Sequence, residues 1–160
     1  MTKGTTLTRK TTQPSMNNPK PCPFCQIISG AIDKTILFEN DTGFVVRDGF
    51  PITQGHTLII PKQHIGSFFG ISQTQRQDLF ALVDLAKAEL DQEYTPASYN
   101  IGINDGEAAG QTIPHLHIHL IPRYIEAGKD PRGGVRWLVP EKADYWTDRE
   151  RTEREGSENQ

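Results

Sequence analysis

The chain has 160 residues, among them two cysteines and five histidines, and a formal charge of -3 at pH 7. That length fits one domain around a single core, and that charge excludes a protein built to attract nucleic acid over long range. No stretch approaches the roughly 18 apolar residues of a membrane span, and the first twenty residues lack an apolar secretion segment, so a cytoplasmic protein that meets no membrane is expected.

Residues 1–20 and 147–160 are almost wholly polar and read as disordered tails on a domain spanning 21–146. Lys3, Arg9, Lys10 and Lys20 make the first tail basic; solvated charge is the reading adopted, and no specific nucleic-acid partner is expected. The domain opens on Cys22-Pro23-Phe24-Cys25. In a reducing compartment that spacing suggests a metal pair or a redox pair rather than a structural disulfide.

Ile36 to Glu39 and Phe44 to Arg47 are short β-favouring runs around Asn40-Asp41-Thr42-Gly43, which predicts a hairpin. Gly49-Phe50-Pro51 breaks the chain. Thr57-Leu58-Ile59-Ile60 suits a buried strand ended by Pro61. Ser72 and Gln75 are spaced as a capping box, and behind them Leu79, Leu82, Val83, Ala86 and Leu90 form one apolar helical stripe, with Asp84, Lys87 and Asp91 toward solvent and Pro96 beyond the end. Tyr99 to Asn104 reads as a further strand, followed by a glycine-bounded loop from Gly106 to Gly110. The expected fold class is α+β: an antiparallel sheet with one main helix and short helical turns.

The most informative segment is His115-Leu116-His117-Ile118-His119-Leu120-Ile121-Pro122. In a strand, His115, His117 and His119 share one face while Leu116, Ile118 and Leu120 share the other. Three imidazoles at alternate positions gain nothing in packing over Thr or Lys, so chemistry is the reason to place them there. Two chemistries compete. The imidazoles hold a catalytic metal together, or one of them attacks phosphorus while its neighbours set its tautomer and stabilise charge on the phosphate oxygens.

The pattern His-φ-His-φ-His-φ-φ, with φ apolar, resembles the signature of the histidine triad superfamily. Asn104 to Thr112 ahead of it and Ile121-Pro122-Arg123 behind it resemble the Fhit branch, and Gln54 to Ile65 is similar to the stretch carrying the family's earlier histidine. The resemblance implies that His117 is the nucleophile, that His119 contacts the phosphate oxygens, and that His56 supports them. It further implies that Asn104, Gln111 and Thr112 lie around the phosphates, with backbone N–H groups near Gly110 forming an anion nest, and that Asp48 accepts from the ribose hydroxyls. Phe24, Ile27 and Val46 match positions lining the nucleobase pocket. A homodimer is also implied.

The stretch Asp130 to Pro140 does not match the Hint or Fhit carboxyl-terminal segments and resembles a bacterial subgroup of histidine triad hydrolases. Arg132 and Arg136 within it suit either a distal phosphate or solvent. A His rather than a Gln at position 119 resembles the hydrolase branches more than the transferase branches. The implied function is hydrolysis at the α-phosphorus of dinucleoside polyphosphates or nucleoside phosphoramidates through a nucleotidyl-histidine. A nucleotide-binding scaffold with little turnover, a nucleotidyltransferase and a metallohydrolase are the alternatives.

Cys22, Cys25, His64 and His115 make up a Cys₂His₂ set, the composition of a structural zinc site. Several relatives carry such a site on the corresponding histidines. No thioredoxin-type βαβ pattern surrounds the cysteines, which favours one zinc per chain over a redox pair.

Overall fold

The computed structural model describes residues 21–126 and 129–147; the segments 1–20 and 148–160, read above as tails, lie outside the described residues. Five strands form one antiparallel sheet: β1 (Phe38–Glu39), β2 (Gly43–Arg47), β3 (Thr57–Pro61), β4 (Ser98–Gly102) and β5 (Ile118–Arg123), in the order β1-β2-β3-β5-β4. The last strand in sequence is thus inserted between β3 and β4. This places the histidine segment near the middle of the sheet.

Among the described residues the sheet is flanked by α1 (Pro23–Ile28) and α2 (Gln73–Glu93). The capping box at the start of α2 forms as the sequence predicts: Ser72 Oγ accepts from the Gln75 N–H, and Gln75 Oε1 accepts from the Ser72 N–H. The predicted stripe of Leu79, Leu82, Val83, Ala86 and Leu90 is buried against Val45, Ile59, Leu116, Ile118 and Leu120. Burying side chains of this size contributes about 1.5–3 kcal/mol each, so this face dominates the packing energy. Gly43 lets helix and sheet approach closely, since a Cβ there would stand 2.5 Å from Leu79 Cδ2 and 2.9 Å from the Ile60 carbonyl. Arg47 then bridges β2 to Glu89 and Glu93 of α2 at 2.6 and 2.8 Å.

The opposite face of the sheet carries a smaller cluster of Phe44, Val46, Leu58 and Ile60 beneath Phe24 of α1. Helix α1 was not legible in the sequence, since six residues are too few to show a period. The available signal was Pro23, whose fixed φ and missing N–H suit a first helical turn. Three elements are shorter or differently bounded than expected. β1 is confined to Phe38–Glu39, β4 runs over Ser98–Gly102, and β3 includes Pro61 as its last residue.

The predicted three-histidine strand needs a correction. β5 begins only at Ile118, so His115 and His117 lie in an extended lead-in rather than in the ladder. The register pairs Thr57 with Leu120, Leu58 with His119 and Ile59 with Ile118, and continuing it would set Leu116 opposite Pro61. Pro61 has no N–H to donate, and the Leu116 N–H turns instead to the Ile65 carbonyl at 2.6 Å. Alternation nevertheless persists. Leu116, Ile118 and Leu120 enter the α2 core, while Phe24 of α1 packs its ring edge-on against both His115 and His117 on the other side.

Candidate active site

Strand register explains how distant residues meet. The pairs Val46–Leu58, Leu58–His119 and His119–Gly102 lie in one row across four strands, on the face away from α2. The β2–β3 ladder continues one step past Arg47 and Thr57, with the Asp48 N–H donating to the His56 carbonyl at 2.9 Å. A step of two residues along a strand returns to the same face, so His56 and Asp48 share the face of Leu58 and Val46. Asp48, His56 and His119 therefore converge.

His56 Nε2 and His119 Nδ1 are 3.0 Å apart, and one donates to the other. On the far side of His56, Nδ1 lies 3.4 Å from Asp48 Oδ2 and 3.4 Å from the Ile52 N–H. Asp48 is held by its other oxygen, which accepts from the Phe50 N–H at 2.8 Å. Burial pushes the His119 imidazole down to about 4, with the nearby His117 and His56 rings lowering it further. Burial also lowers His56, and the Asp48 carboxylate only partly opposes it. At neutral pH both rings are uncharged and carry one N–H each.

His117 is 7% exposed, and its Nδ1 lies 2.8 Å from the His115 carbonyl. A carbonyl can only accept, so Nδ1 carries a hydrogen, and in the neutral ring Nε2 is the nitrogen with the lone pair. The ring stands 4.9 Å from that of His119, centroid to centroid.

His115 is completely buried and faces a different set of partners. Its Nε2 donates to the Pro61 carbonyl at 2.8 Å, which leaves Nδ1 as the acceptor, 3.4 Å from Cys22 Sγ and 3.6 Å from Cys25 Sγ. His64 Nδ1 is 3.2 Å from Cys25 Sγ. The four donor atoms of Cys22, Cys25, His64 and His115 all lie within 4.8 Å of one another, a set that could hold a metal ion. The donors of Asp48, His56 and His119 form a second group within the same limit. The three triad imidazoles do not converge on one point, since His115 turns to the cysteines while His119 turns to His56.

Other residues singled out in the sequence fall as follows. Phe24 and Val46 are buried in the small cluster, where they are core, and Ile27 packs partly exposed against them. Asn104 lines a cleft beside His119. Thr112 is exposed. Gln111 clamps the loop, its Oε1 accepting from the Gly106 N–H and its Nε2 donating to the Gly66 carbonyl, each at 2.8 Å. The expected anion nest is not formed. The N–H groups of Ala109, Gly110 and Gln111 donate to the Gly106 and Glu107 carbonyls within a 3-10 turn, and Gly110 closes that turn at φ +86°. Asp105 was missed: its carboxylate accepts from Ser67 Oγ and the Phe68 N–H and ties this loop to the segment after His64. An Asn-Asp-Gly turn signal was the only hint.

Arg132 and Arg136 are engaged away from the histidines. Arg132 pairs with Asp130 and lies over the Trp146 ring, while Arg136 donates to the Lys142 carbonyl at 3.1 and 2.7 Å and lies over Tyr145.

A family model described as the HIT domain matches residues 29–126. The chain belongs to the HIT family. Among curated relatives of this HIT-family chain, adenosine 5'-monophosphoramidase HNT1 of Candida albicans is 38% identical over 110 residues, 66% of this chain and 72% of that protein. A crystal structure of a HIT family protein from Bacillus anthracis superposes with a TM-score of 0.64 at 31% identity, covering 84% of this chain and 97% of the other. A zinc-bound histidine triad family protein from Mycobacterium smegmatis gives a TM-score of 0.62 at 31% identity over 69% and 84%. Among the described residues no helix is long and apolar enough to cross a membrane.

Proposed function

We propose that the chain is a nucleotide hydrolase that cleaves the bond between an α-phosphorus and its leaving group through a covalent nucleotidyl-histidine on His117. The supporting observation is the hydrogen bond from His117 Nδ1 to the His115 carbonyl, which in the neutral ring leaves the lone pair on Nε2. In the first half-reaction that lone pair forms an N–P bond, the bond from phosphorus to the leaving group breaks, and the leaving group takes a proton. In the second, water attacks phosphorus, the N–P bond breaks, and a nucleoside monophosphate leaves with His117 restored. Imidazole suits both halves because it is a good nucleophile toward phosphorus and a good leaving group from it.

The Asp48–His56–His119 string supports both proton movements. With the proton of the His56–His119 gap on His56, the outer nitrogen of His119 is an N–H able to donate to a phosphate oxygen or to the leaving group, and His56 Nδ1 accepts from Ile52. With that proton on His119 Nδ1, its outer nitrogen is a base for water and His56 Nδ1 donates to Asp48. Both tautomers are neutral, so the string rests uncharged, and the proton it gives the leaving group in the first half-reaction is returned by the attacking water in the second. Asp48 is also suited to the ribose hydroxyls, with Ile27 beside the base and Asn104 near the phosphates.

The Cys₂His₂ set fits zinc on the chemistry of its donors, two thiols and two imidazoles, one of them with its tautomer preset by Pro61. Bound there, the ion supplies a structural cross-link between α1, the segment after β3 and the lead-in to β5. A homodimer, implied by the family, belongs to this reading and is measurable by sedimentation.

The test is single-turnover incubation with adenosine phosphoramidate or a diadenosine polyphosphate, followed by an alkaline quench. An acid-labile, base-stable adduct on His117 is expected; rapid turnover with no adduct would mean direct attack by water. A catalytic metal on Asp48, His56 and His119 is the competing reading, favoured by their close donor atoms. It requires that a chelator abolish chemistry at once while the fold survives.

A further inference from the structure

The loop that leads into the histidines has no core of its own. Residues 106–110 are all exposed, and the 3-10 turn Glu107–Ala109 buries no side chain. Gly106 at φ +90° and Gly110 at φ +86° bracket that turn, in backbone conformations that glycine adopts without strain. Such a loop is placed by whatever holds its two feet.

The rear foot is Gln111, whose amide bridges Gly106 and Gly66. The front foot is Asp105. A single carboxylate oxygen, Oδ2, accepts from the Phe68 N–H at 2.7 Å and from Ser67 Oγ at 3.1 Å. Both feet grip one short anchor, residues 65–68, and the Leu116 N–H adds a third link by donating to the Ile65 carbonyl. That anchor is itself fixed. Ile65 and Phe68 pack against the α2 core, the Arg76 guanidinium lies 4.7 Å from the centre of the Phe68 ring, and Ser67 Oγ accepts from the Phe69 N–H.

Asp105 stands between this anchor and the reacting groups. Its neighbour Asn104 lines the cleft that contains His56 and His119, and the Asn104 side chain makes no hydrogen bond among the described residues. The position of that amide is set through the backbone, and Asp105 is the next residue along it that is tied down. The negative charge of Asp105 does nothing for an anionic ligand, so its role lies in the two hydrogen bonds, which a neutral amide oxygen can accept as well.

We infer that Asp105 is a positioning residue for hydrolysis: its carboxylate pins the loop 104–112 to residues 65–68 and so holds Asn104 in place beside His119. The inference rests on the His117 reading, in which the phosphates meet this loop.

The experiment measures turnover of adenosine 5'-phosphoramidate by the full chain carrying Asp105→Ala, Asp105→Asn or Ser67→Ala. Rates are divided by the number of monophosphate-binding sites counted by equilibrium dialysis, so that a variant that is only less folded shows no change. Asp105→Ala should lower kcat per site on the order of 10- to 100-fold, the scale of a small misplacement near the reacting atoms, and change KM less. Ser67→Ala removes one of the two bonds and should lose about three- to tenfold, whereas Asp105→Asn keeps an acceptor and should stay within about threefold of wild type. Amide hydrogen exchange reads the pin without any chemistry: in Asp105→Ala the amides of Phe68 and of residues 104–111 should exchange at least about tenfold faster, while those of α2 keep their rates.

Unchanged kcat per site in Asp105→Ala, with the wild type turning over, overturns the positioning role and leaves the hydrolase reading standing. So does an Asp105→Asn chain as slow as Asp105→Ala, which would assign the effect to the charge. Unchanged exchange in the loop overturns the pin whatever the rates. A wild type that turns over neither this probe nor a diadenosine polyphosphate overturns the His117 reading, and the role of Asp105 with it.

Discussion

His115 and His117 are two residues apart, both buried and both in contact with Phe24, yet their free nitrogens are opposite ones. The Pro61 carbonyl takes the Nε2 hydrogen of His115 and leaves Nδ1 facing two thiols, whereas the His115 carbonyl takes the Nδ1 hydrogen of His117 and leaves Nε2 as the nitrogen with the lone pair in the neutral ring. The two jobs are divided by which backbone oxygen each ring meets. The residue type is common to both.

The sharpest way to break this division is His117→Ala, which should lower turnover at least about 1,000-fold, remove the acid-labile adduct and leave monophosphate binding within a few-fold, as loss of a nucleophile from an intact pocket does. Stopped assays and equilibrium dialysis measure the two quantities separately. Retained turnover would reassign the nucleophile.

His119→Ala should cost on the order of 100-fold in kcat, the scale of lost general acid–base help, with the adduct still forming slowly. His56→Ala should cost less, because His56 acts through His119. A larger loss at His56 than at His119 would reverse that order of contact.

Cys22→Ser combined with Cys25→Ser acts on the other half of the comparison. Metal content should fall from one zinc per chain to near none and the melting temperature should drop by about 5 °C or more, with measurable turnover left. Metal analysis and calorimetry on protein purified without added metal decide it. A metal-free wild-type protein with Cys22 and Cys25 disulfide-bonded, or zinc that persists after both changes, would remove the basis for a structural ion.

The smallest effect concerns pH. His119 binds its proton near 6.5 when unfolded and near 4 when folded, so between these values the unfolded chain holds more protons and folding stability decreases as pH falls. Urea unfolding at pH 7.5 and 5 should show a wild-type loss on the order of 1 kcal/mol greater than that of His119→Gln, which has no such proton to gain. Equal losses would place the acid sensitivity in other groups.

How much of this was legible before the fold was known differs by residue. The capping box at Ser72 and Gln75 and the stripe from Leu79 to Leu90 were readable because each depends on neighbours within four residues. The Cys₂His₂ membership was readable from composition and family resemblance. The loop around Gly110 was misread as an anion nest because whether an N–H is free depends on the turn its own carbonyl neighbours form, and here Gly106 and Glu107 use up those donors. Of the two readings offered for Arg132 and Arg136, solvent is the nearer, since both are exposed and are held by Asp130 and the Lys142 carbonyl, partners only a few residues away.

The sequence by itself determined the residue types, the alternation that sends Leu116, Ile118 and Leu120 into the core, and the family whose motif the histidines carry. Tertiary structure alone decided that β5 starts at Ile118, since the missing N–H of Pro61 ends the ladder from the neighbouring strand. It also decided that Asp48, His56 and His119 form one string. Their 3.0 and 3.4 Å approaches arise from the pairing of three strands 63 residues apart in sequence at the outermost contact, and register between strands is set by packing across the whole sheet, which no local pattern contains.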